Sequence, residues 1–189
     1  KDEGATWTAE TPDWFAELKA NETYISNMYM GPDGTAAVIT GESSGEGDDV
    51  TFILRLSLYL PDGTQVPVEK EMTEDEMYFK QVAFKEDGTI LASTYRGVYE
   101  VQQDGSCEQI LTIDYNPQWM WVRDNLLVVD NDWGEQEMPV LYDLGAGTAF
   151  EDQVLTEFMA ENYQSRSFNG TDYCDVYLLP GEDGTIYVT

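Results

Sequence analysis

Short apolar runs along this chain are separated by one recurring polar phrase. Residues 85–93 read "KEDGTILAS", and its centre returns in "GPDGTAAVI" from Gly31, "LPDGTQVPV" from Leu60, "QQDGSCEQI" from Gln102 and "GEDGTIYVT" from Gly181. Asp-Gly-Thr is a hairpin phrase. Asp and Gly tolerate the positive φ of a two-residue type I′ turn, and Thr restarts a strand. "QVAF" precedes Asp87-Gly88 and "TILAST" follows it; "GVYEVQ" then leads to Asp104-Gly105 and "CEQILTI". The pattern predicts four short strands joined by tight turns within residues 79–114, with no helical stripe.

The same grammar returns with variation. "NMYM", Asp33-Gly34 and "TAAVIT" form the first hairpin of an earlier unit, and "VTFILRLSLYL", Asp62-Gly63 and "TQVPVE" form its second. "WMWV", Asp124-Asn125 and "LLVVD" open a third unit, which "PVLYDL" and "GAG" close. "DVYLL", Asp183-Gly184 and "TIYVT" open a fourth. Four-stranded units of roughly 40–50 residues with such turns are the signature of β-propeller blades. The expected fold is therefore all-β: a partial β-propeller of about three and a half four-stranded antiparallel blades. A β-sandwich is the main rival, since it is also built from regularly spaced short strands.

Two stretches depart from strand alternation. "EDQVLTEFMAENY" spaces Val154, Leu155, Phe158 and Met159 as a helical stripe, with Asp152 placed to cap it, which predicts one short helix near 152–162. It replaces or follows the outer strand of the third unit. "TPDWFAELKA" predicts a further turn of helix with Pro12 at its first position. The domain reading is an N-terminal tether or closing segment over 1–23 and a repeat domain over 24–189. Its units are approximately 24–70, 77–114, 116–163 and 172–189. The last unit holds two strands, so the expectation is an edge at Ile186–Val188 that something else occupies: further residues of a longer chain, the N-terminal segment, or a second copy.

Composition narrows the function. The chain has 37 acidic and 9 basic residues, a formal charge of −28. Such a field repels nucleic acid and anionic membrane surfaces and attracts divalent cations loosely. Aromatic residues at 13% and abundant Val, Ile and Leu argue against disorder despite the acidity. Histidine is absent, which excludes a Ser-His-Asp triad, a Cys-His dyad and histidine-based zinc sites from this chain. Cys107 and Cys174 have no metal-ligand spacing and sit in strand-like runs. They read as two separate buried thiols, or as a disulfide if their strands adjoin. The polar start "KDEGATWTAETPDW" resembles the tether that follows a removed export signal, or an arbitrary boundary.

"GTILASTYRGVYEVQQDG" resembles the blades of bacterial cell-surface propeller lipoproteins. "LYDLGAGTAFEDQVLTEF" is similar to a phrase in the N-terminal propeller regions of large extracellular solute-binding lipoproteins of Gram-positive gut bacteria. The resemblance, spanning about residues 11–189, implies a surface location and lipid anchoring through a segment outside this chain. It offers no catalytic residue, and nothing here resembles the solute-binding domain itself.

Candidate sites follow from residue type. "DNDWGEQE" gathers Asp130, Asp132 and Glu135 with Asn131 and Glu137, oxygen ligands suited to calcium. A solvated acidic loop is the plainer reading, since the series lacks the twelfth-position Glu of an EF-hand. Trp119 and Trp121 alternate in "QWMWV" and share one strand face. Exposed, Trp119 and Trp121 would be candidate ligand-binding residues that stack on sugar rings or a partner surface; the commoner place for such a pair is the core between blades, with Trp119 buried, whereas Trp133 in its acidic loop is the better exposed contact. "SFNGTDY" and "ANETY" match glycosylation acceptors at Asn169 and Asn21, relevant only in a eukaryotic secretory host.

The expected function is a non-catalytic extracellular binding or scaffold module of a secreted or surface-anchored bacterial lipoprotein. Its partner is a protein, a glycan or a further domain of the same chain. No cofactor is implied beyond calcium, and no nucleic acid. The alternative is a carbohydrate-active or carbohydrate-binding propeller protein using acidic and Trp residues.

Overall fold

The computed structural model describes residues 11–44, 51–115, 117–130, 139–162, 166–168, 171–173, 178–181 and 185–188. The chain is mostly β. Helix α1 (Asp13–Ala20) leads into a first antiparallel sheet, β1 (Tyr24–Met30), β2 (Ala36–Ser44), β3 (Thr51–Tyr59) and β4 (Gln65–Pro67), in that spatial order. A second sheet repeats it with β5 (Gln81–Phe84), β6 (Ile90–Ser93), β7 (Gly97–Val101) and β8 (Cys107–Thr112). A third has β9 (Trp119–Arg123), β10 (Leu126–Asp130), β11 (Val140–Asp143) and β12 (Thr148–Phe150). Helix α2 (Gln153–Asn162) follows β12, and Asp152 Oδ1 caps it by accepting from the Leu155 amide at 2.8 Å. Two two-stranded sheets complete the described chain: β13 (Arg166–Phe168) with β14 (Thr171–Tyr173), and β15 (Leu178–Pro180) with β16 (Ile186–Val188).

Four expected tips stand where the phrase places them, but their turn differs from the two-residue type I′ hairpin. The glycines alone take positive φ: +92° at Gly34, +87° at Gly63, +90° at Gly88 and +87° at Gly105. Each Gly amide donates to the carbonyl three residues back: Gly31 at 3.2 Å, Leu60 at 2.9 Å, Lys85 at 3.0 Å and Gln102 at 2.9 Å. These are longer turns ending in a left-handed glycine. Asp has no need of positive φ because its side chain is the structural element. Oδ1 of Asp33, Asp62, Asp87 and Asp104 each accepts from the amide two residues on, all at 2.9 Å. At Asp87 the Thr89 hydroxyl and amide, with Lys85, hold the carboxyl down at about 2. The Asp124-Asn125 tip is a true two-residue turn, with Arg123 paired to Leu126 and Asp124 at φ +50°. The tip at Asp183-Gly184 lies outside the described residues, although its strands pair as expected, Pro180 with Ile186.

The sheets stack face against face. Alternate residues of the second strand in each point to opposite faces, and in this chain both faces are covered. On β2, Ala37 and Ile39 join Leu56 and Leu58 against Phe79, Val82, Ile90 and Ala92 of the second unit. On β6 and β7, Leu91 and Val98 pack with Met120, Leu127 and Val129 of the third. Val128 and Leu141 then meet Leu155 of α2 and Leu178 of β15. The first strands neighbour one another in succession, β1 beside β5, β5 beside β9 and β9 beside β15.

Helix α1 closes the far face of the first sheet. Trp14 stacks on Tyr59 with ring centroids 4.5 Å apart, and Leu18 packs with it over Ala36 and Val38. It is a two-turn helix rather than a single turn. Pro12, at φ −59° and ψ 146°, is the cap residue before the helix and not its first helical position.

The glycine tips generate a graded prediction. Gly63→Ala places a Cβ in open space but forces it to φ +87°, a cost of about 1–2 kcal/mol. Gly105→Ala carries the same strain and also sets a Cβ 2.2 Å from the Pro67 carbonyl oxygen. It must also disturb the 2.9 Å bond from the Glu69 amide to the Gly105 carbonyl that ties the first sheet to the second. Urea unfolding is expected to rank Gly105→Ala well below Gly63→Ala; equal losses would contradict the docking of this tip.

Candidate functional site

The succession of first strands leaves a groove across them. It is lined by Asn27 and Tyr29 of β1, residues 81–84 of β5 and residues 119–122 of β9, with a volume of about 570 Å³. That size lies within the range of small-ligand clefts. Period-two alternation puts Asn27 and Tyr29 on one face of β1, and Trp119 and Trp121 on one face of β9.

The polar part of the groove is a linked set. Tyr29 donates its hydroxyl proton to Gln81 Oε1 at 2.8 Å, across the junction of the first two sheets. Asn27 Nδ2 donates to the Tyr29 hydroxyl at 3.2 Å and to the Lys80 carbonyl at 3.3 Å. Burial pushes the Tyr29 hydroxyl above its ordinary range, partly offset by the Val82 backbone and Asn27. Tyr29 is therefore neutral, a donor to Gln81 and an acceptor from Asn27. None of the groove's described lining residues carries a carboxylate or an ammonium group.

The aromatic part corrects an expectation. Trp119 is 42% exposed and not buried in the core, and Trp121 is half-buried. Their rings lie 6.3 Å apart and within 19° of parallel. Trp121 packs at the margin of the cluster around Val128 and Leu178, while Met120, between them in sequence, is buried against the second sheet. The shared face was legible; its exposure was not, because β9 is the end strand of its sheet and its groove side carries no further strand among the described residues.

The acidic candidate divides. Asp130 is 5% exposed at the end of β10, paired in register with Trp119, with its carbonyl accepting from the Gln118 amide at 2.9 Å. It is a strand residue rather than part of a solvated loop. Asp132, Trp133 and Glu135 lie outside the described residues, as does Cys174. Among the described residues no group of three His, Cys, Asp or Glu side chains could hold a metal ion. No helix among them is long and apolar enough to cross a membrane.

Pattern reading missed a buried ionic cluster between the first and second sheets. Glu76, 6% exposed, accepts from Lys70 Nζ at 2.8 Å and from the Thr73 amide and hydroxyl, both at 3.1 Å. The Tyr99 hydroxyl donates to its other oxygen, and Lys70 lies 4.6 Å from the centre of the Tyr99 ring. Burial opposes ionisation of Glu76, but Lys70, Tyr99 and Thr73 outweigh it and hold its carboxyl at about 2. Burial, reinforced by the bond to this carboxylate, drives Tyr99 far above its ordinary range. Every group in the cluster is engaged by another, so it fastens the linker "EKEMTEDEMYFK" to β7. In the sequence Glu76 was one acid in an acidic run, with nothing to mark it as buried.

No family model matches the chain, no curated protein matches its sequence, and no solved structure matches its fold.

The cluster gives a pH prediction. The folded pKa of Glu76, about 2, lies below its ordinary 4.5. The carboxylate therefore stabilises the fold above pH 4.5, and this contribution is lost as pH falls towards 2. Glu76→Gln is expected to cost on the order of 3 kcal/mol near neutral pH, by linkage and by leaving Lys70 unpaired. Unfolding titrations at stepped pH should show the gap from the unsubstituted protein closing on acidification; a gap independent of pH would refute the assignment.

Proposed function

We propose that the chain is a non-catalytic binding module, built as part of a β-propeller, that recognises its partner in the groove across β1, β5 and β9. The observation that carries this reading is the pair of near-parallel, partly exposed indoles of Trp119 and Trp121 beside the neutral Asn27–Tyr29–Gln81 network. Large exposed aromatics on a soluble domain mark contact surfaces. The propeller reading rests on four-stranded sheets stacked face to face with their first strands in succession. In a propeller those strands line the central axis, a common place for ligands.

A setting on a bacterial cell surface, as part of a lipoprotein, is supported by the resemblance of "GTILASTYRGVYEVQQDG" to surface propeller blades. The strongly acidic chain suits such a soluble outer module and disfavours nucleic acid as partner. Binding without turnover fits a groove that offers stacking surfaces and amides but no ionised acid–base pair among its described lining residues.

The test is a panel of immobilised peptides and glycans probed with the unsubstituted protein and with the double variant Trp119→Ala, Trp121→Ala. Any partner captured by the former should bind the latter at least about tenfold more weakly, the scale of losing an aromatic contact. Mass spectrometry should find the captured molecules unchanged. Undiminished capture by the double variant would remove the groove as the binding face. Cleavage abolished by a single Asp or Glu substitution would make the protein an enzyme.

A further inference from the structure

We propose that the occupant of this groove is an uncharged oligosaccharide, laid with ring faces against Trp119 and Trp121 and hydroxyls towards Asn27, Tyr29 and Gln81. This rests on the groove being the binding face. A pyranose ring is apolar on its faces and polar around its rim, and the groove has the same division. Two half-exposed to exposed indoles lie within 19° of parallel with centroids 6.3 Å apart, one strand repeat along β9. The same groove is also lined by one phenol and two carboxamides, which both donate and accept and so suit hydroxyl groups. The Gln81 carboxamide accepts from Tyr29 through Oε1, and its amide nitrogen has no hydrogen-bond partner among the described residues. That leaves a donor at the groove for a ligand hydroxyl.

Charge decides against the other occupants. The chain carries −28 overall, so an acidic glycan or nucleic acid is repelled at long range. None of the described lining residues supplies a cation to compensate or a carboxylate to select a basic peptide. An apolar peptide needs enclosed pockets for its anchors, and the 42% exposure of Trp119 is the opposite of enclosure. A neutral, hydroxyl-rich ligand is the class that loses nothing here.

Native affinity electrophoresis is the direct experiment, because the acidic protein migrates strongly and a neutral polymer does not. Gels cast with neutral polysaccharides (a β-glucan, a glucomannan, a xylan) are compared with gels cast with polygalacturonate. Retardation is expected in at least one neutral gel and not in polygalacturonate. It should weaken about tenfold or more in Trp119→Ala, Trp121→Ala, measurably in Gln81→Ala, and only partly in Trp119→Tyr, which keeps an aromatic face. Circular dichroism establishes that each variant folds, and Trp119→Tyr and Gln81→Ala carry the test if the double variant does not. Retardation in no neutral gel, or in polygalacturonate alone, overturns the glycan assignment. If a peptide is then captured and lost in the double variant, the groove stands as a binding face and only its occupant was wrong. Retardation undiminished in all the variants sinks both readings together.

Discussion

Each of the described four-stranded sheets has a second strand that is apolar on both faces, and that constraint organises the rest. A strand with one covered face alternates apolar and polar residues; a strand covered on both reads as a continuous apolar run. "AAVI" in β2, "ILA" in β6 and "LLVV" in β10 are such runs. Ile39, Leu58, Ile90, Leu91, Leu127, Val128 and Val129 are all essentially inaccessible to solvent. At about 25 cal/mol per Å² of apolar surface, no such sheet is stable alone. Each must have a neighbour on both sides, so the sheets propagate as a stack, with stability passed from unit to unit as in repeat proteins.

The described helices also pack on faces of the sheets. Helix α1 lays Trp14 and Leu18 over the face of the first sheet turned away from the second. Helix α2 places Leu155 on the third sheet beside Leu178 of β15. Its outer side differs: Val154 and Phe158 remain exposed, next to a small cavity of about 240 Å³ shared with Ile186 and Val188. The fixed parts of the connectors serve the same end. The buried Lys70–Glu76–Tyr99 cluster and the bond from the Glu69 amide to the Gly105 carbonyl lock the first unit to the second. Face-to-face apolar packing is non-directional; these polar contacts specify where along the face the units meet.

Strands, their order and most tips were legible because they depend on neighbours in sequence. Asp-Gly-Thr marks a turn whose hydrogen bonds all close within five residues, and the helix at 153–162 shows its own stripe. The variant of the turn was not legible. Both the type I′ hairpin and the observed turn want Gly, and only the backbone shows that Asp contributes an acceptor rather than a positive φ. The hairpin of β13 and β14 had a signal that was read otherwise. Phe168 pairs with Thr171, so "NG" separates them, and Asn-Gly is the strongest short hairpin phrase; the same residues also match a glycosylation acceptor.

The groove was half legible for a reason of the same kind. Alternation states that Trp119 and Trp121 share a face, and it is silent on what lies opposite. In β2, β6 and β10 a neighbouring sheet lies opposite, so large side chains there are core. In β9 the first-strand position leaves part of that face to the groove, and an identical pattern yields an accessible aromatic pair. The network that accompanies it joins β1 to β5, residues 52 apart in sequence at Tyr29 and Gln81. No local pattern encodes that meeting; it exists because apolar second strands force the sheets together and so bring their first strands side by side. The groove is thus a by-product of the packing constraint, and substitutions within it that leave β2, β6 and β10 intact change its surface without altering the fold.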